Sequence, residues 1–212
     1  MLNLTNDELI NNMANKIIQT ALCISVFSGL QACSTTQTPL RYLDFGAPLK
    51  SAPPIGCELP PLTIADITTT QALDSNLVLY RLLYSNELQT RAYANYRWSM
   101  TPVQLLTLQV KTQLADNSVR LVDDGLANPD GLQIRLELTD FSQYFADATH
   151  SYAQLKLRAT TIRDNTVRAQ STFTRQANAD TPDAIGGAQA MRLATDAVIS
   201  DLSSWLCKLP RP

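Results

Sequence analysis

Histidine is nearly missing from this chain: one residue in 212, beside four cysteines, and no Cys-x-x-Cys spacing occurs. So few soft ligands do not build a zinc finger or a comparable centre, and metal-dependent chemistry is not expected. Glycine is scarce too, with seven residues. Neither G-x-G-x-x-G nor G-x-x-x-x-G-K-[ST] is found, so no glycine loop cradles a phosphate and no nucleotide cofactor is implied. Basic charge is not in excess, since 17 Lys and Arg face 19 Asp and Glu for a formal net charge of -2. That balance gives no counterion-release drive toward DNA or RNA and excludes a nucleic-acid partner. What the chain does have is apolar content, 45% of its residues, which suits a folded globular protein.

The apolar residues are unevenly placed. A largely apolar, uncharged run from Ile17 to Leu30 follows Lys16. As a helix it reaches only about 21 Å, short of the ~30 Å hydrocarbon layer, so a signal-peptide core fits better than a spanning segment. The run stops at Leu30-Gln31-Ala32-Cys33 and gives way to Ser34, Thr35, Thr36, Gln37, Thr38 and Pro39. This change marks a cleavage point followed by a tether. Read otherwise, residues 17 to 30 are a buried helix and Cys33 a core thiol, but a buried helix should not open onto a polar tether. Asp7 and Glu8 are out of place in a signal's first segment, whereas Met13-Ala14-Asn15-Lys16 is an ordinary one, so Met13 is the expected start.

Leu30-Gln31-Ala32-Cys33 resembles a bacterial lipobox, with Leu at −3, a small residue at −1 and the acylated Cys; Gln31 departs from the usual small or β-branched residue. The resemblance implies residues 1–32 as signal, residues 33–39 as lipidated Cys33 and tether, and a domain over residues 40–212. Three acyl chains at ~0.8 kcal/mol per methylene would hold such a protein to a membrane without a spanning helix. By the lipoprotein sorting rule, Ser34 after the Cys implies the outer membrane, with the body facing the periplasm. Processing leaves about 180 residues, enough for one ordinary domain.

Of the four cysteines, Cys23 leaves with the signal and Cys33 is acylated, so Cys57 and Cys207 remain in an oxidising space. They are expected to pair as a disulfide. The alternative is two unpaired buried thiols, because sequence does not show that their Cα atoms approach within ~7 Å.

Within the domain, residues 40–45 and 62–67 read as short strands, and residues 77–84 and 89–96 as a hairpin around Ser85-Asn86-Glu87. Thr101-Pro102-Val103-Gln104 opens a helix to about Ala115, with Val103, Leu106, Val110 and Leu114 as its apolar stripe. Leu132, Ile134, Leu136 and Leu138 alternate with polar residues, as do Ala153, Leu155, Leu157 and Ala159; after a turn at Asp164-Asn165, Val167, Ala169, Ser171 and Phe173 follow suit. These predict a three-strand antiparallel meander whose wet face carries Arg135, Glu137, Lys156, Arg158 and Arg168. Thr181-Pro182-Asp183 opens a last helix, striped by Ala184, Ala188, Met191, Ala194, Val198, Leu202 and Trp205. The expected class is α+β: an antiparallel sheet with one wet face, covered by two amphipathic helices.

The order of features resembles the ABC-type transport auxiliary lipoproteins, which accompany MCE-domain lipid transporters. After the lipobox come Tyr42-Leu43-Asp44-Phe45-Gly46, Tyr80-Arg81, Tyr93 to Trp98 ahead of the Thr101-Pro102 helix, then Asp183 to Met191 and Ser204-Trp205-Leu206. The resemblance spans essentially the whole domain. It implies a Tol-type αβ domain, an outer-membrane location, and an MCE-domain periplasmic protein with an ABC permease and ATPase as partners in moving phospholipid or a sterol-like lipid. It carries no catalytic motif. Asp44-Phe45-Gly46 lacks every companion of a kinase site, and His150 beside Ser151, or with Cys57, is too isolated to argue a nucleophile and base, so no enzymatic activity is expected. A different reading of the same tethered domain is an envelope scaffold or cell-wall structural lipoprotein.

Tyr80, Tyr84, Tyr93, Tyr96 and Trp98 are concentrated in one hairpin. They are either packing residues of the sheet or a docking surface for the MCE partner or a lipid chain. Oligomeric state is not legible.

Overall fold

The computed structural model describes residues 38–46, 55–126 and 131–210. The signal, Cys33 and most of the tether lie outside the described residues, as does the prolyl stretch at Pro53 and Pro54. The strands are β1 (Arg41–Leu43), β2 (Leu62–Ile64), β3 (Thr68–Thr69), β4 (Leu77–Leu82), β5 (Asn86–Trp98), β6 (Leu121–Val122), β7 (Leu132–Phe145), β8 (Ser151–Arg163) and β9 (Thr166–Asn178). Among the described residues two helices join them, α1 (Pro102–Asp116) and α2 (Ala184–Cys207). All nine strands belong to one open sheet, so the class is α+β.

β7 organises the sheet. Along one edge it pairs antiparallel with β8, and β8 with β9, giving the expected meander. Along the other edge its beginning takes β2, its middle β3 and its end β4, all parallel. β5 then pairs antiparallel with β4, and β1 lies parallel on the end of β5, with Leu43 opposite Trp98. The sheet is therefore mixed. Its antiparallel part is the meander and the β4–β5 hairpin, and parallel pairs connect the two.

Alternation in β7 breaks once. Leu138 faces Leu157 but Asp140 faces Lys156, so Thr139 is an extra residue, a β-bulge. Beyond it the inward positions change from even to odd, which turns Phe141 and Gln143 into the core. A second bulge lies between β8 and β9. Thr161 faces Ala169 and Ile162 faces Val167, leaving Arg168 unmatched. Val167, expected inside, is consequently 61% exposed.

α2 lies over β8 and β9 and also meets β7. Its expected stripe is buried from Ala184 to Leu202. Asp183 is its N-cap, accepting from the Gly186 amide at 2.8 Å, and this backbone bond holds the carboxyl below its ordinary range. Pro182 therefore precedes the cap instead of opening the helix. At α1 the Gln104 side chain accepts from the Thr101 amide at 3.1 Å, the expected half of a capping box. Gln109 and Gln113 of α1 reach Asp196 of α2 at 3.3 and 2.6 Å, linking the helices by polar contacts.

Candidate functional site

The aromatic hairpin divides into core and surface. Trp98 is 2% exposed and forms a triangle with Phe45 and Phe141, with centroids 5.9 and 5.4 Å away. It is thus removed from the candidate docking residues, because the end of β5 carries its ring into the core beside Phe45 and Phe141. Phe45 enters that triangle from a tight turn in which the Gly46 amide donates to Asp44 Oδ1 at 2.7 Å and Gly46 has φ +64°. Tyr80 and Tyr93 are half-buried with centroids 4.7 Å apart, and Tyr96 packs edge-on to Tyr93 at 6.1 Å. Tyr84, at the hairpin tip, is 54% exposed, and Leu88 beside it is 86% exposed. Sequence reasoning named Tyr84 but missed Leu88, which reads as an ordinary strand residue.

Below the tyrosines sits a polar node. Gln143 is buried; it accepts from the Tyr93 hydroxyl at 2.9 Å and donates to Ser151 Oγ at 2.9 Å and to the Asp183 carbonyl at 3.1 Å. Burial, then Tyr80 and Asp183, push the Tyr93 hydroxyl well above its usual range, so it stays protonated and donates. Gly187 leaves room for the node, since a Cβ there would lie 2.1 Å from Gln143 Oε1. The arrangement fixes the start of α2 to the sheet and to the hairpin.

At the other end of α2 a cavity of about 1190 Å³ opens. Its apolar lining includes Leu59, Leu132, Leu206 and Leu209, and the Cys57–Cys207 disulfide, with Cα atoms 5.8 Å apart, forms part of its wall. Three arginines line it from separate segments: Arg120 ahead of β6, Arg163 at the end of β8 and Arg168 in the β9 bulge. Arg168, expected on the wet face, is brought to the cavity by that bulge and pairs with Asp164 at 3.2 Å. The Nε of Arg163 is buried with no hydrogen-bond partner among the described residues. Arg120 has no ion-pair partner among them either. Asp164 and Asn165 both have positive φ, 52° and 54°, the two-residue turn that places Arg163 and Arg168 on either side.

The other residues weighed from sequence do not come together. His150 lies in the exposed turn before β8, its Nδ1 2.9 Å from Asp147 Oδ2, while Cys57 is bound at the far end of the sheet. The wet face carries Arg135, Lys156 and the Arg158–Glu137 ion pair. Among the described residues no three His, Cys, Asp or Glu side chains are grouped as a metal site requires, and no helix is long and apolar enough to cross a membrane.

Among the described residues, a mixed nine-stranded sheet packed against two helices defines an α+β domain with an arginine-lined cavity at one end. No protein-family model matches the sequence, and no curated protein does. The chain is similar in structure to a DUF330-family protein from Xanthomonas campestris, with TM-score 0.62 and 18% identity over 71% of this chain and 90% of that one. It is similar to an uncharacterized protein with TM-score 0.62 and 10% identity, over 80% of this chain and 99% of the other. A minor lipoprotein from Acinetobacter baumannii matches more loosely, with TM-score 0.41 and 14% identity over 69% and 98%. At these identities the first two likenesses are of fold.

Proposed function

We propose that this protein is a lipid-anchored outer-membrane lipoprotein facing the periplasm, where it serves as a non-enzymatic auxiliary component of an MCE-type ABC lipid transporter. The observation that carries the reading is the order of features along one chain. A lipobox-like Cys33 precedes a short tether, and then Tyr42 in β1, Tyr80-Arg81 in β4, Trp98 at the end of β5 and Trp205 in α2 stand where the auxiliary-lipoprotein pattern has them. The DUF330 fold supports it.

The geometry suits a tethered adaptor. Eight residues from Cys33 to Arg41 reach at most about 27 Å, so the body stays near its membrane. β1 lies against Tyr96 to Trp98, and from there β5 runs back to the Tyr84 and Leu88 tip, roughly 30 Å along the strand. The tip is in this reading the contact for the MCE partner, with Tyr84 as its aromatic anchor, while Tyr80, Tyr93 and Tyr96 shape the hairpin behind it.

A Cys33→Ser variant tests the anchor. It is expected to accumulate as an unprocessed precursor that takes up no fatty-acid analogue and to complement a deletion strain poorly in detergent sensitivity and envelope lipid balance. Normal labelling of the variant, or a deletion strain with unaltered envelope lipids, contradicts the reading.

A further inference from the structure

We infer that the cavity at the disulfide end of α2 binds one anionic amphiphile, its acidic head held by Arg120 and Arg163 and its hydrocarbon chain against Leu59, Leu132, Leu206 and Leu209. The inference rests on the lipid-transport reading for its biological meaning only; the binding site itself is argued from the cavity.

Size comes first. About 1190 Å³ exceeds what most small metabolites fill and is far more than a free phosphate needs. The lining has two chemistries in one space. Leu132 and Leu206 are nearly fully buried, and Leu59 and Leu209 pack partly buried against the core, as a hydrocarbon chain requires.

Charge selects the head. Arg163 lines the cavity, and a guanidinium fork matches a carboxylate or phosphate with two parallel bonds. Arg120 adds a second positive charge without a partner among the described residues, whereas Arg168 is already engaged by Asp164. Glu58 also lines the cavity, so two of the five charged groups there are acidic and three basic, a positive surplus. A neutral lipid would leave that surplus unanswered. An acidic peptide would leave the leucine lining unused.

The fold explains why the cavity stays open. α2 ends at Cys207 and β8 at Arg163, and both ends line the cavity together with the exposed Arg168 of the β9 bulge. The disulfide holds the segment before β2 to the end of α2, keeping two walls in place.

The test uses the processed full-length chain in a detergent-free amphipol and cis-parinarate, a fluorescent fatty acid, read by energy transfer from the protein's tryptophans. Saturable binding of one probe per chain is expected, at least about tenfold tighter than that of parinarate methyl ester, which lacks the charge. Arg120→Gln with Arg163→Gln should weaken the acid by about the same factor without lowering the melting temperature, and leave the ester unchanged. Ala169→Trp, which fills the cavity, should abolish both. Lysophosphatidic acid should compete, and inorganic phosphate should not.

Equal binding of acid and ester, or an unaltered affinity in the double arginine variant, overturns the assignment, as does absence of saturable binding. Competition by phosphate alone identifies an ion site and overturns it too. Probe binding seen only in the Cys33→Ser form means that the chain's own acyl groups occupy the cavity, which also rejects a free lipid. None of these outcomes bears on whether an MCE protein is recovered with the chain, so the two readings fail separately.

Discussion

Trp98→Ala is expected to lose roughly 3–5 kcal/mol of stability, the range for removing a fully buried large aromatic side chain from a core. The indole is 2% exposed and meets Phe45 and Phe141 edge-on, at interplanar angles of 67° and 66°. Its amide donates to the Asn76 carbonyl at 2.8 Å, and its register partner is Leu43, so β1, β5 and the approach to β4 all converge on it. Collapse around the missing ring is limited, because the backbone on each side is committed to sheet hydrogen bonds. The melting temperature should fall by on the order of 10 °C. Tyr84→Ala, at the exposed hairpin tip, should stay within about 0.5 kcal/mol. Denaturant unfolding of both variants checks the contrast, and a Trp98 variant as stable as the parent would remove it from the core.

Loss of the disulfide should be the next largest effect. Cys57 and Cys207 are 150 residues apart in sequence, so the bridge closes nearly the whole domain into one loop. The chain-entropy estimate for such a loop is about 5 kcal/mol, and removal of a native bridge typically costs 2–5 kcal/mol. Cys207→Ser should therefore unfold at lower denaturant than the oxidised parent, and reduced parent should match the variant. Free-thiol labelling of both cysteines in the native protein, with no effect of reductant on the midpoint, is the contrary result. The same variant should loosen the cavity, because the bridge joins two of its walls.

Local chemistry was the legible part of this fold. The Gln104 cap, the two helical stripes, the Asp164-Asn165 turn and the alternation of Leu132 to Leu138 and Ala153 to Ala159 each depend on residues close in sequence, and each is found. The parallel pairing of β2, β3 and β4 to β7 was not legible. It joins segments tens of residues apart, with no turn chemistry to announce it. The two bulges were hidden too, since an extra residue such as Thr139 or Arg168 differs in no way from its neighbours until the partner strand is known. That is why Gln143 and Phe141 were missed as core and Val167 was expected inside. Trp98 and Tyr84 lie in one aromatic-rich stretch, and composition does not tell which ring packs against Phe45 and Phe141. The cavity is harder still, because Arg120, Arg163 and Arg168 come from three segments and none stands in a motif.

The central claim is partnership with an MCE transport system, and crosslinking in the intact envelope followed by purification of the full-length lipoprotein tests it most directly. The account predicts recovery of an MCE-domain protein together with the ABC permease, reduced several-fold by Tyr84→Ala with Leu88→Ser in a chain whose melting temperature is unaltered. Recovery of a cell-wall synthase in place of the MCE protein, or of no transporter component at all, would contradict it.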